Sequence, residues 1–174
     1  MLNLKPTQKE TAMAIGTGDT LPTAKLSKMG ADGPEVVDLN AFGKGKKLAI
    51  FALPGAFTGT CSMAHVPSFM RTIDQFKAKG VDEVICVSVN DVFVMQAWGE
   101  QTGATEAGIQ MLADGDASFT KAMGRDFSAP PVGLIDRSKR YAMIVDDGKI
   151  TVLQEEENPG VCDVSGGEAL LEAV

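Results

Sequence analysis

At 174 residues, 44% hydrophobic and 22% charged, the chain has the size and composition of one globular domain, which buries roughly 70% of its unfolded surface without needing staples. A net charge of −7 argues against nucleic acid or an anionic membrane as partner, and no apolar run approaches the ~20 residues of a membrane span. Three cysteines are too few and too odd in number for a disulfide-stapled secreted framework, and no apolar leader opens the chain, so a cytoplasmic, reducing setting is expected.

Residues 1–17 read as a loose arm. Gly18 to Glu35 suggests a short hairpin with loops, and Val36-Val37 a strand entering one helical turn. Lys47 to Leu53 (KLAIFAL) is an unbroken apolar run, the pattern of a buried strand. It stops at Pro54-Gly55, and a loop of small and hydroxyl residues leads to Cys61. Val66, Phe69, Met70, Ile73 and Phe76 then recur at helical spacing, ended by Lys79-Gly80, and Pro67 within that pattern predicts a kink or irregular turn.

Glu83 to Val89 (EVICVSV) is a second buried strand. Asn90-Asp91 caps a helix expected to turn Phe93, Val94, Ala97 and Trp98 inward. Gly103 to Gly108 reads as a loop, Ile109 to Ala113 as a third strand, and Ala117 to Met123 as a short helix with Phe119 and Met123 inward. Gly124 to Asp136, carrying Pro130-Pro131, reads as a long loop. Tyr141 to Val145 and Ile150 to Leu153 flank Asp147-Gly148, a hairpin signal. After the acidic loop Glu155 to Gly160, Ser165-Gly166-Gly167-Glu168 fits a capping box opening a last helix. Strands that alternate with helices and then close in a hairpin predict an α/β fold with a central mixed sheet flanked by helices.

Cys61 is the leading candidate for chemistry. A thiol where a loop gives way to a helix lies near unpaired amides and the positive end of the helix dipole, which favour the thiolate. Pro54 stiffens the loop, Thr58 brings a hydroxyl near, and the Thr60, Cys61 and Ser62 amides are candidate donors. A buried cysteine serving only as a small hydrophobe is the plainer alternative, and it fits Cys86, set among β-branched residues. There is no CxxC pair, and one histidine without clustered cysteines gives no zinc pattern. No cofactor is implied.

The pattern Pro54-x-x-x-Thr58-x-x-Cys61 resembles the active-site motif of the peroxiredoxins. The stretch PGAFTGTCSMAHVPSF is similar to their type II branch, the peroxiredoxin 5 group, and the likeness continues through VDEVICVSVND, FVMQAW, MLADG and RSKRYAMIVDDG. This resemblance implies a thioredoxin-like fold over residues 1–174. It also implies a thiol peroxidase that reduces hydrogen peroxide and alkyl hydroperoxides, with glutathione/glutaredoxin or thioredoxin as reductant, in a homodimer. By the same resemblance Cys61 is the peroxidatic cysteine, Thr58 bonds the thiolate and the peroxide, Pro54 shields the pocket and Arg140 supplies the cation. From the residues alone Arg140 is not separable from Arg137 or Arg125.

His65, one turn beyond Cys61, invites a Cys–His pair. The resemblance assigns activation to threonine and arginine, leaving His65 a packing or interface role. Cys162 stands broadly where some members keep a resolving cysteine, although its loop is shorter, as in glutathione- or glutaredoxin-dependent members. Gly59, Ser68 and Val92 depart from residues common in the group. The rival readings for the same cysteine are a thiol–disulfide exchange protein pairing Cys61 with Cys162, and a peroxide-sensing switch.

Overall fold

A computed structural model describes residues 13–174. Seven strands form one sheet: β1 (Lys25–Gly30), β2 (Gly33–Asp38), β3 (Lys47–Leu53), β4 (Glu83–Ser88), β5 (Ile109–Ala113), β8 (Tyr141–Asp146) and β9 (Lys149–Glu155), in the order β2-β1-β5-β4-β3-β8-β9. The centre β5-β4-β3 is parallel, and both flanks are antiparallel. The fold is the expected α/β one with a mixed sheet.

The strand period divides the core in two. In β3, Ala49, Phe51 and Leu53 face one layer, while Leu48, Ile50 and Ala52 face the other. Phe69, Ile73 and Phe76 of α2 (Val66–Ala78), Met95 and Trp98 of α3 (Val92–Thr102), Ala104 of α4 (Ala104–Ala107) and Leu170 of α6 (Gly167–Glu172) cover the first face. Leu39 of α1 (Leu39–Gly43), with Phe119 of α5 (Ser118–Ala122) and Met123, covers the second. Cys61 belongs to the first layer.

Several expectations are corrected. In α3 the buried residues are Met95, Trp98 and Gly99, whereas Phe93 and Ala97 face outward. Asp91 caps Val94, as expected, but sets the helix phase so that Met95 points to the sheet. Residues 104–107, read as loop, form α4. Residues 124–136, also read as loop, contain β6 (Asp126–Ala129), a 3-10 turn (Pro130–Val132) and the start of β7 (Leu134–Ser138), a bulged two-stranded sheet. β6 alternates between exposed and half-buried residues, but it is only four residues long and runs into Pro130-Pro131, and β7 does not alternate.

The capping box does not form: Gly166 is the N-cap of α6, and the Ser165 hydroxyl donates to Glu156 instead. Most of the arm read over 1–17 lies outside the described residues. Within its last five, the Ile15 amide donates to the Met123 carbonyl and Arg125 donates to the Ile15 carbonyl.

Candidate active site

Residues 54–65 leave the C-terminal end of β3 and enter a π-helical turn, Cys61–His65, in which the Val66 amide donates to the Cys61 carbonyl. The irregular turn expected from Pro67 is therefore present, but it contains Cys61 and precedes the proline. Pro67 itself sits in the first turn of α2, where no N–H is required of it. The helical backbone begins just before Cys61, and the Ser62 amide, expected to be a free donor, is taken by the Thr58 carbonyl.

The loop is pinned from several sides. The Asn90 side chain accepts from the Ala56 amide at 2.9 Å, and the Trp98 indole donates to Ser62 Oγ at 3.0 Å. Gly55 allows a close approach: a Cβ there would come 2.5 Å from Arg137 Nη1. Arg137 donates to the Pro54 carbonyl at 3.3 Å and so braces the loop.

Cys61 is fully buried, and Arg140 Nη2 donates to its sulfur at 3.1 Å. Strand register explains the meeting. Ala52 of β3 pairs with Tyr141 of β8 in antiparallel register, so the residue before Tyr141 arrives beside the end of β3, where the Cys61 loop departs. Arg125 is placed elsewhere: it ion-pairs with Glu155 at 2.8 Å and packs over the Tyr141 ring.

Thr58, Pro54 and Arg140 line a cleft of about 310 Å³, with Gly59, Thr60 and Gly160. Phe127, Ala129 and Leu134 of the β6–β7 pair, with Pro159, form its apolar wall. The Thr58 hydroxyl donates to the Gly55 carbonyl at 2.8 Å, which leaves its oxygen lone pairs for an incoming donor. A Cβ at Gly59 would meet nothing within 4 Å, so this departure from the usual residue removes a constraint without filling the cleft.

His65 is the site residue that sequence reasoning undervalued. It is fully buried, with Nδ1 3.0 Å from Arg140 Nη1 and Nε2 2.9 Å from the Ser165 carbonyl. Burial and then the Arg140 charge lower its pKa to about 3, against the opposing pull of the Ser165 carbonyl. Its four-residue offset from Cys61 was visible, but its partners lie 75 and 100 residues away along the chain.

Cys86 is buried, as expected, and burial followed by the proximity of Cys61 pushes its thiol well up, opposed by Arg140. Cys162 is half-buried and opens into a different groove, with Met63, Ala64, Ser68 and Arg71. Its thiol is raised by burial despite the Arg140 charge. All three cysteines are free. Among the described residues no three His, Cys, Asp or Glu side chains gather into a metal-binding group, and no helix is long and apolar enough to cross a membrane.

Residues 16–171 match the redoxin family. The chain is 45% identical over 164 residues to the chloroplastic peroxiredoxin-2E-2 of Oryza sativa subsp. japonica, covering 92% of this chain and 72% of that one. Among solved structures, reduced Prx3 of Vibrio vulnificus in complex with hydrogen peroxide superposes with a TM-score of 0.86 at 49% identity, over 91% of this chain and 98% of that one. Peroxiredoxin 5 of Alvinella pompejana gives 0.79 at 31% identity, over 91% and 97%.

Proposed function

The chain belongs to the redoxin family and, within it, to the peroxiredoxins, and from that premise we propose how its residues carry out thiol-dependent peroxide reduction. The observation that carries the reading is the Arg140 guanidinium donating to Cys61 Sγ at 3.1 Å behind the Thr58–Pro54 cleft. A cation held against sulfur stabilises its negative charge, and a thiolate is the nucleophile that peroxide chemistry needs.

The peroxide enters the cleft. Thr58 Oγ, whose proton is committed to Gly55, accepts from the terminal O–H of the peroxide and so orients that oxygen toward Cys61. The thiolate attacks this oxygen, the O–O bond breaks, and its electron pair leaves on the distal oxygen, which takes a proton to become water or an alcohol. The Arg140 charge steadies the developing anion. Cys61 is left as a sulfenic acid. One reductant thiol condenses with it to release water and form a mixed disulfide. A second thiol then displaces Cys61, leaving a disulfide of the reductant. Pro54 closes the cleft wall without adding an N–H.

Both hydrogen peroxide and alkyl hydroperoxides are proposed substrates; the Phe127, Ala129 and Leu134 wall favours an apolar tail on the latter. Glutathione/glutaredoxin is the proposed reductant, with thioredoxin the competing donor. Cys162 faces a groove away from the cleft, which supports an external thiol over an internal disulfide. A homodimer is proposed, supported by the exposed apolar side chains Phe57 on the Cys61 loop and Val132 and Ile135 beside the cleft wall. Sparse free cysteines favour a reducing compartment, and the cytoplasm is the proposed one. Residues 1–174 act as one unit in this reading.

The test is a peroxidase assay of wild type, Cys61→Ser, Cys86→Ser and Cys162→Ser with each reductant. Activity should vanish only in Cys61→Ser; full activity there overturns the reading.

A further inference from the structure

Arg140 reaches the sulfur through one end of its guanidinium, and the direction of that end is set by what holds the others. Nε donates to the Pro159 carbonyl at 3.0 Å, and Nη1 lies 3.0 Å from His65 Nδ1. An arginine can only donate, so Nδ1 must be the accepting, unprotonated nitrogen. The proton of the neutral imidazole then sits on Nε2, where the Ser165 carbonyl receives it at 2.9 Å. Each nitrogen of the ring is thus assigned by its partner, and the opposite tautomer would set two N–H groups against each other at Arg140.

The support for the ring is built on both sides. The Phe51 and Phe69 rings lie 5.0 and 5.7 Å from the imidazole centroid and fill the space around it. Ser68 Oγ donates to the His65 carbonyl at 2.6 Å and accepts the Gly167 amide at 2.8 Å. Beyond the ring, Glu156 Oε1 accepts from the Ser165 amide, the Ser165 hydroxyl and the Asp163 amide at 2.6–2.8 Å. Burial alone would raise the Glu156 carboxyl, but these bonds and the Arg140 charge hold it below its ordinary value. The Glu156 amide in turn donates to the Arg140 carbonyl at 3.0 Å.

We propose that His65 is a positioning residue for peroxide reduction: as a neutral, Nε2-protonated imidazole clamped by Ser165, it holds Arg140 Nη1 so that Nη2 bears on Cys61. The ring touches neither cleft nor peroxide and acts only through the arginine. The segment from Glu156 to Gly167, which leads into α6, thereby controls the reactivity of a cysteine about a hundred residues earlier. This inference rests on the peroxidase reading for its rate effects, but not for the contact itself.

Two measurements test it. The first compares kcat/KM for hydrogen peroxide in His65→Leu and His65→Asn. Asparagine carries its amide oxygen near the position of Nδ1 and accepts from Arg140, whereas leucine fills the space without accepting. His65→Leu should lose about ten- to a hundred-fold, the scale of a mispositioned catalytic group, and His65→Asn should recover most of it at comparable thermal stability. Equal rates in the two variants, whether both normal or both impaired, overturn the proposal.

The second uses the fact that His65 is the only histidine in the chain, so its imidazole ¹⁵N spectrum needs no assignment. Wild type should show one neutral, Nε2-protonated ring at pH 6, and Arg140→Gln should shift the Nδ1 signal. An Nδ1-protonated ring, or a spectrum unmoved by Arg140→Gln, overturns it. If wild type reduces no peroxide, the function fails while the spectrum still decides the clamp.

Discussion

Two arginines are buried in this molecule, on opposite faces of the sheet, and they are held in opposite ways. Arg125 spends its charge on a carboxylate: Nε ion-pairs with Glu155 at 2.8 Å, and Nη1 donates to the Ile15 and Met123 carbonyls. Arg140 has only neutral protein partners besides sulfur, namely the Pro159 carbonyl and the neutral His65 ring. Among the described residues no carboxylate comes within ion-pair distance of it, although Glu156 acts on it from farther away. A buried cation is costly unless something balances it. At Arg125 the balance is structural and permanent. At Arg140 no such carboxylate partner is present among the described residues, and in the proposed mechanism the balance comes from the Cys61 sulfur and from charge that develops during reaction.

Exchanging the two arginines for glutamine should break the comparison apart most visibly. Arg140→Gln should lower kcat/KM for hydrogen peroxide about 10²–10³-fold, the loss typical of a donor aimed at developing charge. Arg125→Gln should leave the rate near wild type while removing about 2–3 kcal/mol of stability, less than for a fully dry pair because Glu155 remains partly exposed. Chemical denaturation alongside peroxide kinetics measures both; a stability loss without a rate loss at Arg140 would erase the distinction.

The neutral partner of Arg140 should leave a trace in the pH dependence of stability. Above pH 6.5 His65 is neutral folded or unfolded, and nothing is lost. Below it the unfolded chain takes up a proton that the folded ring, with a pKa of about 3, refuses. Stability therefore falls as pH falls, by about 2 kcal/mol at pH 5 from this residue alone. Glu156, held below its ordinary value, adds a loss in the same direction only at lower pH. Denaturation of wild type and His65→Asn between pH 7 and 5 should thus converge as pH falls, and parallel curves would contradict the burial argument.

The smallest effect is expected at Cys86, which lies in the same core layer as Cys61 but has its thiol pushed up by burial. Cys86→Ala should cost about 1 kcal/mol through lost packing and leave peroxide kinetics unchanged. A rate change there would give Cys86 a part in the chemistry.

What the sequence revealed follows the range of the interactions. KLAIFAL, EVICVSV and the Tyr141 hairpin were legible because burial on two faces and turn chemistry write themselves into neighbouring residues. Cys61, Thr58 and Pro54 were legible as a local motif. Arg140 was chosen from three arginines by family likeness, and the physical reason appears only in the β3–β8 register. The offset of His65 from Cys61 invites a Cys–His pair, and the resemblance leaves it a packing or interface role by assigning activation to threonine and arginine. Its actual partners, Arg140 and the Ser165 carbonyl, come from β8's leading edge and the last loop. Phe93 was placed inward on its hydrophobicity, yet it stands 64% exposed because Asp91 sets the phase of α3. The β6–β7 pair escapes because β6 has only four residues before Pro130-Pro131 and β7 does not alternate, although the pair supplies the apolar wall of the cleft.

The central claim is that Cys61, facing Arg140, is the atom oxidised by peroxide. One equivalent of hydrogen peroxide given to the reduced protein in the presence of a sulfenic-acid trap such as dimedone, followed by peptide mass mapping, tests it most directly. The account predicts one adduct per chain, on Cys61, and none in Cys61→Ser. An adduct on Cys86 or Cys162 with Cys61 unmodified would contradict it.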